Sequence, residues 1–305
     1  MAGVLVYSDK LNLGLELLTA AQAINAEVKA VAINDDELAR GLAAAGAKVF
    51  KVDNSNINLA DVAAVAAALQ QIADKENVTT VLLASNRRGK ELAGRLAQKL
   101  TAGCLTDVSG FAVAGDKIEC RRNALGGATV ATQVIAADKK VIAIAPRSFE
   151  MAGAGQGTIS NVEVEVAAPK LKVLEVKTKT ADAVDIEAAD ILVAVGQGLN
   201  SQDDLGAVED LAKAIGGEVA CSKPLATDKK WLSEERVVGL SGKICKPELA
   251  ILLGISGQVQ FTVGIRDAKT IVAINSDDNA SINQMADYIL TKDLHEVVQE
   301  LNAKL

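Results

Sequence analysis

Short runs of β-branched residues alternate with stretches rich in alanine and leucine from the beginning of the chain. Strands are predicted over residues 4–7, 28–33, 49–52 and 80–84, and helices over 11–24, 36–45, 59–74 and 91–100. Residues 85–90 read as a turn that enters the last of these helices. This alternation is typical of βαβ units, in which a parallel sheet is covered by helices on both faces.

The pattern changes after about residue 103, where short strands follow one another with little helix between them. They are predicted over residues 111–113, 117–120, 130–135, 141–144, 162–166 and 171–176. We expect them to pair in antiparallel fashion on the edge of the first sheet. The glycine-rich turn over 152–157 can be a flexible loop or a phosphate cradle, and the absence of a following helix favours the loop.

A second series of strands and helices begins with a strand over residues 189–195 and a helix over 203–215. A polar segment, 177–185, separates the two series. The chain has 305 residues, and a single core usually stops growing at about 250. The predicted fold is therefore α/β, with two open, mostly parallel βαβ-type (Rossmann-like) domains over residues 1–180 and 186–305.

Composition restricts the kinds of partner. Hydrophobic residues make up 50% of the chain, which supports a large core, but aromatic residues make up only 2% and the net charge is -7. Nucleic-acid binding needs basic surfaces and stacking platforms, so we expect no nucleic-acid partner. No apolar run reaches the ~18 residues of a membrane span, and the amino terminus lacks the features of a signal peptide. We expect no membrane insertion and a cytoplasmic location.

The four cysteines do not predict a metal site. Cys104, Cys120, Cys221 and Cys245 are far apart, and only one histidine, His295, accompanies them. Structural zinc sites need four ligands at close spacings such as CxxC, which this chain lacks. Buried free thiols are the expected state of these residues.

Glycines and small polar residues cluster just after strands of the second half, where open α/β sheets bind ligands. The four places are Gly196-Gln197-Gly198, residues 220–223, residues 238–243 and residues 254–260. The last of these precedes a predicted helix, so that Ser256 and the nearby amides can face a pyrophosphate. A tight turn with a capping serine is the alternative. A serine hydrolase is not indicated, because GxSxG is absent and the one histidine lies late in the chain.

These segments together resemble a known family. Residues 242–249, then 254–260, 270–275 and 286–288, are similar to the C-terminal FAD domain of electron-transfer flavoprotein alpha subunits. The resemblance is strong over residues 190–301 and looser in the first half, where residues 88–97 carry it. Cys221-Ser222-Lys223-Pro224 is nearer to the branch that serves anaerobic, carnitine-type and nitrogen-fixation-type pathways than to the mitochondrial branch.

The resemblance implies one FAD extended across the second domain, and a beta subunit that meets the first domain and covers the flavin ring. It implies these cofactor contacts: Gln197, Ser222, Lys223, Val238, Gly239, Leu240, Ser241, Ser256, Gly257, Gln258, Val259, Gln260, Phe261, Asn275, Asp293 and Leu294. Ser256 would meet the phosphates, Ser241 the flavin N5, and Gln260 the ring or ribitol. Asn275 and Asp293 would serve the adenosine, or else act as a strand-end turn residue and a helix N-cap.

Three of these positions depart from the family pattern. Gln197 and Lys223 stand where the family commonly has arginine, and Phe261 stands where it commonly has histidine. A cation near the flavin stabilises the negative charge that reduction brings. Lys223 keeps that charge without the planar fork of arginine, and Phe261 removes a hydrogen-bond donor.

The function that the resemblance implies is that of an electron carrier rather than an enzyme. The carrier would link dehydrogenases of the acyl-CoA dehydrogenase type to a downstream acceptor. It could also belong to an electron-bifurcating complex, whose second flavin would lie largely on the beta subunit. One alternative is an adenine-nucleotide-binding regulatory protein, although GxxxxGK[ST] and an early GxGxxG are absent. Another is a family member that has lost FAD and serves as a structural partner.

Overall fold

The computed structural model describes residues 3–24, 27–115, 117–127, 129–169, 171–175 and 184–305. The chain divides into two compact units, Met1–Glu175 and Val176–Leu305. Most of the polar segment expected between the two domains, residues 177–183, lies outside the described ranges. The domain limits 1–180 and 186–305 therefore stay predictions.

The first unit is an open sheet with helices on both faces. Its elements are β1 (Val4–Tyr7), α1 (Leu11–Ile24), β2 (Val28–Ile33), α2 (Asp36–Ala44), β3 (Lys48–Val52), α3 (Val62–Lys75), β4 (Thr80–Ala84), α4 (Arg87–Leu100), β5 (Gly103–Ala114), β6 (Lys117–Ala124), β7 (Thr129–Val134), β8 (Lys140–Ile144) and β9 (Thr158–Asn161). The strand order is β7-β6-β5-β8-β4-β1-β2-β3-β9. Strand pairs are parallel except β5 with β6 and β6 with β7.

Each face of this sheet has its own hydrophobic core, because successive side chains of a strand point to opposite sides. Leu5 and Tyr7 pack with residues of α3 and α4. Val4 and Val6 pack with residues of α1 and α2 on the other face. All four side chains are buried. This arrangement confirms the α/β fold with a mostly parallel sheet.

The antiparallel prediction is correct only for β5, β6 and β7. The run predicted over 141–144 is β8, which pairs in parallel with both β4 and β5. Val141, Ile142, Ala143 and Ile144 are all buried. Such a continuous apolar run is typical of a central strand in a parallel sheet, and the sequence pattern alone does not give its direction.

The strand predicted over 162–166 is wrong. The strand at this place is β9, which ends at Asn161 and pairs with β3. Val164 is buried in the core on the α3 face. Asn54 Nδ2 donates to the Val164 carbonyl (3.0 Å), and Gln71 Nε2 donates to the Glu165 carbonyl (2.7 Å). The carbonyls of Val164 and Glu165 thus accept from side-chain amides instead of from a neighbouring strand. Burial of this segment against the core of the sheet explains why apolar residues alternate in it.

The strand predicted over 171–176 is also absent from its described residues, 171–175. Leu171, Val173 and Leu174 are exposed, so no core holds this segment in an extended pairing. Val176 lies outside the described residues.

Two helices of the first unit begin elsewhere than predicted, because a polar side chain caps each of them. Asp61 accepts from the backbone N–H groups of Ala63 and Ala64, so α3 begins at Val62 rather than at residue 59. Asn86 accepts from the Gly89 N–H, so α4 begins at Arg87, four residues earlier than predicted. Such N-cap hydrogen bonds satisfy amides that have no partner inside the helix.

The second unit is a parallel sheet in the order β11-β10-β12-β13-β14. Its elements are β10 (Ile191–Val195), α5 (Leu205–Ala214), β11 (Glu218–Cys221), α6 (Lys223–Thr227), β12 (Leu249–Leu253), α7 (Val259–Thr262), β13 (Thr270–Asn275), β14 (Tyr288–Thr291) and α8 (Leu294–Lys304). A short 3-10 turn capped by Ser201 precedes α5, which therefore starts two residues later than predicted. No helix within the described ranges is long and apolar enough to cross a bilayer.

Two glycines of α4 are expected to respond in opposite ways to substitution by alanine. A Cβ on Gly89 would overlap the Ala84 carbonyl oxygen, which is backbone, whereas a Cβ on Gly94 meets nothing within 4 Å. Gly94→Ala should raise the free energy of unfolding by about 0.5–1 kcal/mol, and Gly89→Ala should lower it by about 1–3 kcal/mol. Urea denaturation of both variants measures the difference. Equal effects would contradict the close contact between α4 and the end of β4.

Candidate functional site

All strands of the second sheet run in one direction, so their carboxyl ends lie along the same edge. β11 lies on one side of β10, and β12 lies on the other. The crevice outside the carboxyl ends at such a reversal is the usual ligand site of an open α/β sheet. Three of the glycine-rich or polar turns singled out in the sequence follow β10, β11 and β12 directly.

The loops after β10 and β12 meet backbone to backbone. The Gly196 N–H donates to the Leu253 carbonyl (2.9 Å), and the Gly198 N–H donates to the Gly254 carbonyl (3.0 Å). A Cβ on Gly198 would lie 2.7 Å from the Cα of Gly254, which itself has a φ of 60°. Only glycine allows this approach together with the left-handed backbone.

A second close contact joins residues 238–243 to residues 258–264. The Leu240 N–H donates to the Gln260 carbonyl (2.7 Å), and the Gly239 N–H donates to the Lys243 carbonyl (3.0 Å). Gly239 has a φ of 133°, and a Cβ there would overlap the Gln260 carbonyl oxygen. The contact leaves the side chains of Leu240 and Val259 exposed on the outside.

The helix expected after the loop at 254–258 is only the single turn α7, and its N-cap residue, Gln258, forms no side-chain capping bond. So short a helix lacks the aligned dipoles of a full one, so its dipole adds little here, and the contact of Ser256 and the nearby amides with a pyrophosphate stays a prediction. The donors available here belong to the loop itself. The Ile282 N–H donates to the Ser256 carbonyl (3.1 Å), and this leaves the Ser256 side chain exposed.

Ser222 carries a buried hydroxyl at the carboxyl end of β11. Its backbone N–H donates to the Val195 carbonyl (2.9 Å), so the residue is fixed at the sheet edge. Its Oγ is fully buried, yet no described residue forms a hydrogen bond with it. A buried hydroxyl without a partner costs about 1–3 kcal/mol, so a bound group at this edge would remove a real penalty.

The neighbouring thiol is not reactive. Burial raises the pKa of Cys221 to about 12, although Arg236 acts in the opposite direction. The thiol therefore stays protonated at neutral pH, and a protonated thiol is neither a good nucleophile nor a metal ligand. Across the part of the chain that the structure describes, no three histidine, cysteine or carboxylate side chains form a group able to hold a metal ion.

Known proteins match this chain along nearly its whole length. A family described as "Electron transfer flavoprotein FAD-binding domain" matches residues 185–266, and one described as "Electron transfer flavoprotein domain" matches residues 9–168. Relatives named "Protein FixB" in Escherichia coli O17:K52:H18 (strain UMN026 / ExPEC) and Shigella flexneri are each 34% identical over 307 residues. The matches cover 99% of this chain and 97% of each relative. The chain belongs to the electron-transfer flavoprotein alpha-subunit family.

The residues at the carboxyl edge of this alpha-subunit family member fit an FAD. The buried Ser222 hydroxyl has no partner of its own, and Ser241 and Ser256 expose hydroxyl groups. Gln197, Gln258 and Gln260 are also exposed. FAD presents phosphate, ribitol and ring acceptors and donors that hydroxyl and amide side chains can meet. The match to an FAD-binding domain family over 185–266 covers all six of these residues.

Three predicted contact residues point inward instead. The side chains of Val238 and Phe261 lie in one hydrophobic core of the second sheet, and that of Leu294 lies in the other. Phe261 is only 7% exposed. Any contact with a cofactor would therefore come from their backbone atoms. Histidine in place of Phe261 would put a polar ring into the core, so this departure from the family pattern has a packing consequence as well.

Asn275 and Asp293 have structural roles in this alpha subunit. Asn275 Nδ2 donates to the Ile255 carbonyl (2.9 Å), and its Oδ1 accepts from the Asp277 N–H (3.0 Å). Asp293 Oδ1 accepts from the His295 N–H (2.7 Å) and caps α8. The roles of strand-end turn residue and helix N-cap are thus confirmed, and the contacts with adenosine stay predictions.

Asn283 is a further polar residue near this edge that the sequence analysis did not identify. Asn283 Nδ2 donates to the Asp278 carbonyl (2.9 Å), while its Oδ1 is buried and lacks a partner within the described chain. It adjoins Ile282, which bonds to Ser256. An asparagine in a polar stretch after a strand usually indicates a turn, so no pattern distinguishes it.

Replacement of Ser222 tests its fit to FAD, because the effects on the FAD-free and FAD-bound chains differ in sign. Ser222→Ala removes an unpartnered buried hydroxyl, so the free energy of unfolding without FAD should stay the same or rise. With FAD, affinity should fall by about 1–3 kcal/mol. Denaturation and equilibrium dialysis measure the two effects. Ser233→Ala is the control, because this exposed serine forms no capping bond. Unchanged FAD affinity in Ser222→Ala would show that the hydroxyl does not meet the cofactor.

Proposed function

We propose that this chain holds one FAD at the carboxyl edge of its second unit and works as an electron carrier. The observation that carries the proposal is the buried, unpartnered Ser222 hydroxyl at an edge that also exposes hydroxyl and amide side chains. Further support comes from the match of residues 185–266 to an FAD-binding domain family. When bound, a flavin accepts and releases electrons, and the protein orients it and tunes its potential.

The residues of the edge divide this work between them. Ser256 and Gln258, on the loop that Asn275 supports, are proposed to bind the phosphates. Ser241 and Gln260, held together by the contact between their loops, are proposed to bind the ring and ribitol. Leu240 lies beside them with an exposed apolar side chain, which can exclude water from a bound ring.

Lys223 is proposed to be the cation near the ring. It follows Ser222 directly and is the first residue of α6, and its side chain is exposed. A positive charge there stabilises the reduced form of the cofactor more than the oxidised form, because reduction adds negative charge. Its ammonium group acts as a point charge without fixing a planar partner.

Lys223→Gln should therefore lower the midpoint potential of bound FAD. Loss of one partly screened charge near 4 Å corresponds to on the order of 1 kcal/mol, or about 40 mV for a one-electron step. A stepwise reductive titration followed by absorbance measures the shift. Lys213→Gln is the matched control, because Lys213 is also exposed but lies in the last turn of α5, away from the carboxyl edge. If both variants and the wild type had equal midpoint potentials, Lys223 would not lie near the flavin ring.

The proposed partner is an electron-transfer flavoprotein beta subunit, bound through the first unit. Support comes from the edge formed by β5, β6 and β7, where Val113, Leu125, Val130 and Val134 expose large apolar side chains. Exposed apolar groups concentrated in one region are typical of protein interfaces.

The proposed electron donor is a dehydrogenase of the acyl-CoA dehydrogenase type, and the proposed compartment is the cytoplasm. Both rest on the family resemblance.

Co-expression with the beta subunit tests the electron-carrier proposal. We expect a yellow 1:1 complex with one FAD on this chain, and weak FAD binding or aggregation of the chain alone. Val130→Glu should abolish the complex, because a charge at 65% exposed Val130 would be buried in the interface. Ile159→Glu, at a 43% exposed residue on β9 at the other edge, is the control. A colourless complex would point to a structural partner without FAD, and a second flavin would point to a bifurcating complex.

A further inference from the structure

The first unit has a strand-order reversal of its own, between β1 and β4, and a cavity lies beside it. β2 lies on one side of β1, and β4 lies on the other. The cavity has a free volume of about 20 Å³ and is lined by Tyr7 at the end of β1, by Asp9 just after it, and by Asn86 and Arg88 at the start of α4. This volume holds about one water molecule. The proposed electron-carrier function uses none of these residues.

Tyr7 is a buried phenol that faces the cavity. It is 6% exposed and lines the cavity wall. No described residue forms a hydrogen bond with its hydroxyl. Burial raises the pKa of this hydroxyl, and Asp9 adds to the effect, while Arg88 opposes it. The hydroxyl therefore stays protonated at physiological pH, and it can donate a hydrogen bond to an acceptor inside the cavity.

The start of α4 adds further donors on the same side. Asn86 caps the Gly89 N–H (2.8 Å), and the amides before it have no partner inside the helix. α4 has 14 residues, long enough to bring a partial positive charge to its first turn. Arg88 lies at the rim, where its Nη1 is 2.8 Å from Asp9 Oδ2. The guanidinium is thus held beside the cavity by a carboxylate of the same chain.

We propose that this cavity is the inner end of an anion site that binds a phosphoryl group. While the site is empty, Asp9 forms an ion pair with Arg88, the cation of the site. One phosphoryl oxygen would accept from the Tyr7 hydroxyl, and others would accept from Arg88 after it leaves Asp9. The first-turn amides of α4 would complete the set. The Tyr7 hydroxyl, the Arg88 guanidinium and the first-turn amides are hydrogen-bond donors, which suits an anion. A tetrahedral phosphoryl group offers more acceptor oxygens than a carboxylate for donors that arrive from several directions.

The ligand can be free phosphate or a phosphate ester, and titration of the full-length chain separates the two. Inorganic phosphate, ribose 5-phosphate and ribose are added in turn, with binding followed by calorimetry and by the amide NMR signals of Asp9, Arg88 and Gly89. We expect saturable shifts with both phosphate compounds and none with ribose. Tighter binding of ribose 5-phosphate would identify an ester as the ligand, and equal binding would identify free phosphate. Absence of saturable shifts with either compound overturns the proposal. The cavity would then hold only water.

Variants of residues in the first unit test whether phosphate binds at this cavity. Arg88→Gln should weaken phosphate binding by about tenfold, the usual effect of losing a hydrogen bond to a charged group. Arg95→Gln on the same helix is the matched control, because the two arginine side chains are 57% and 52% exposed. Equal losses in both variants would show non-specific attraction and overturn the proposal.

Asp9→Asn should change phosphate affinity in the other direction. It removes the carboxylate that competes for Arg88, so binding should tighten by about fivefold, as expected for one like charge near 4 Å in water. A purely structural pair of Asp9 and Arg88 would instead give weaker or unchanged binding. Tyr7→Phe keeps the ring but loses the donor, so it should weaken binding without a change in Tm. Ser233→Ala, at an exposed serine of the other unit, should leave phosphate binding unchanged, and the NMR signals of Asp9, Arg88 and Gly89 show whether the phosphate binds in the first unit.

Discussion

The backbone contact between Gly198 and Gly254 sets the geometry of the second unit's carboxyl edge. The absence of side chains at both residues lets the loops after β10 and β12 touch, and other contacts depend on their positions. Leu294 packs over Gly254, which seats the beginning of α8 at the same place. Asn275, from β13, holds the residue that follows Gly254. Three strands and one helix are thus joined through contacts around two glycines, and several of the polar side chains proposed to bind FAD lie on the loops that these contacts fix.

Each of the two sheets has a strand-order reversal, but different groups lie beside it in the two units. In the second unit, glycines bring backbone atoms to the edge, which suits a large cofactor that must lie against the loops. In the first unit, Asn86 caps a long helix, and Asp9 and Arg88 form an ion pair across the reversal. A small, highly charged ligand suits that arrangement better, because charged and polar side chains lie there together with the first-turn amides of α4.

The sequence predicted the strand and helix order well, because buried strands and amphipathic helices leave strong periodic patterns. Its errors have physical causes. Asn54 and Gln71 bind the backbone around Val164 through their side chains, and no pattern distinguishes such a residue from one in a strand. The direction of β8 depends on tertiary pairing that lies outside its own residues.

The site was predicted in outline only. The loops that the resemblance named do lie along one edge, and Asp293 does cap a helix. Which side chains turn outward depends on packing, so the burial of Phe261 and the unpartnered hydroxyl of Ser222 could not be read from residue types. The length of α7 depends on the tight turns around it, and these end the helix after one turn.

The amide side chains that replace a strand beside Val164 also affect how the first unit opens. Strand pairing is cooperative along a ladder. The segment after β9 has one backbone bond to β3, from the Val162 N–H to the Lys51 carbonyl, and is otherwise held by side-chain bonds of Asn54 and Gln71 and by apolar packing around Val164. Such a segment can detach at a free energy far below that of global unfolding. Its amides would exchange with solvent while the sheet stays intact, so the path of the chain out of the first unit begins at a place that loosens without loss of the fold.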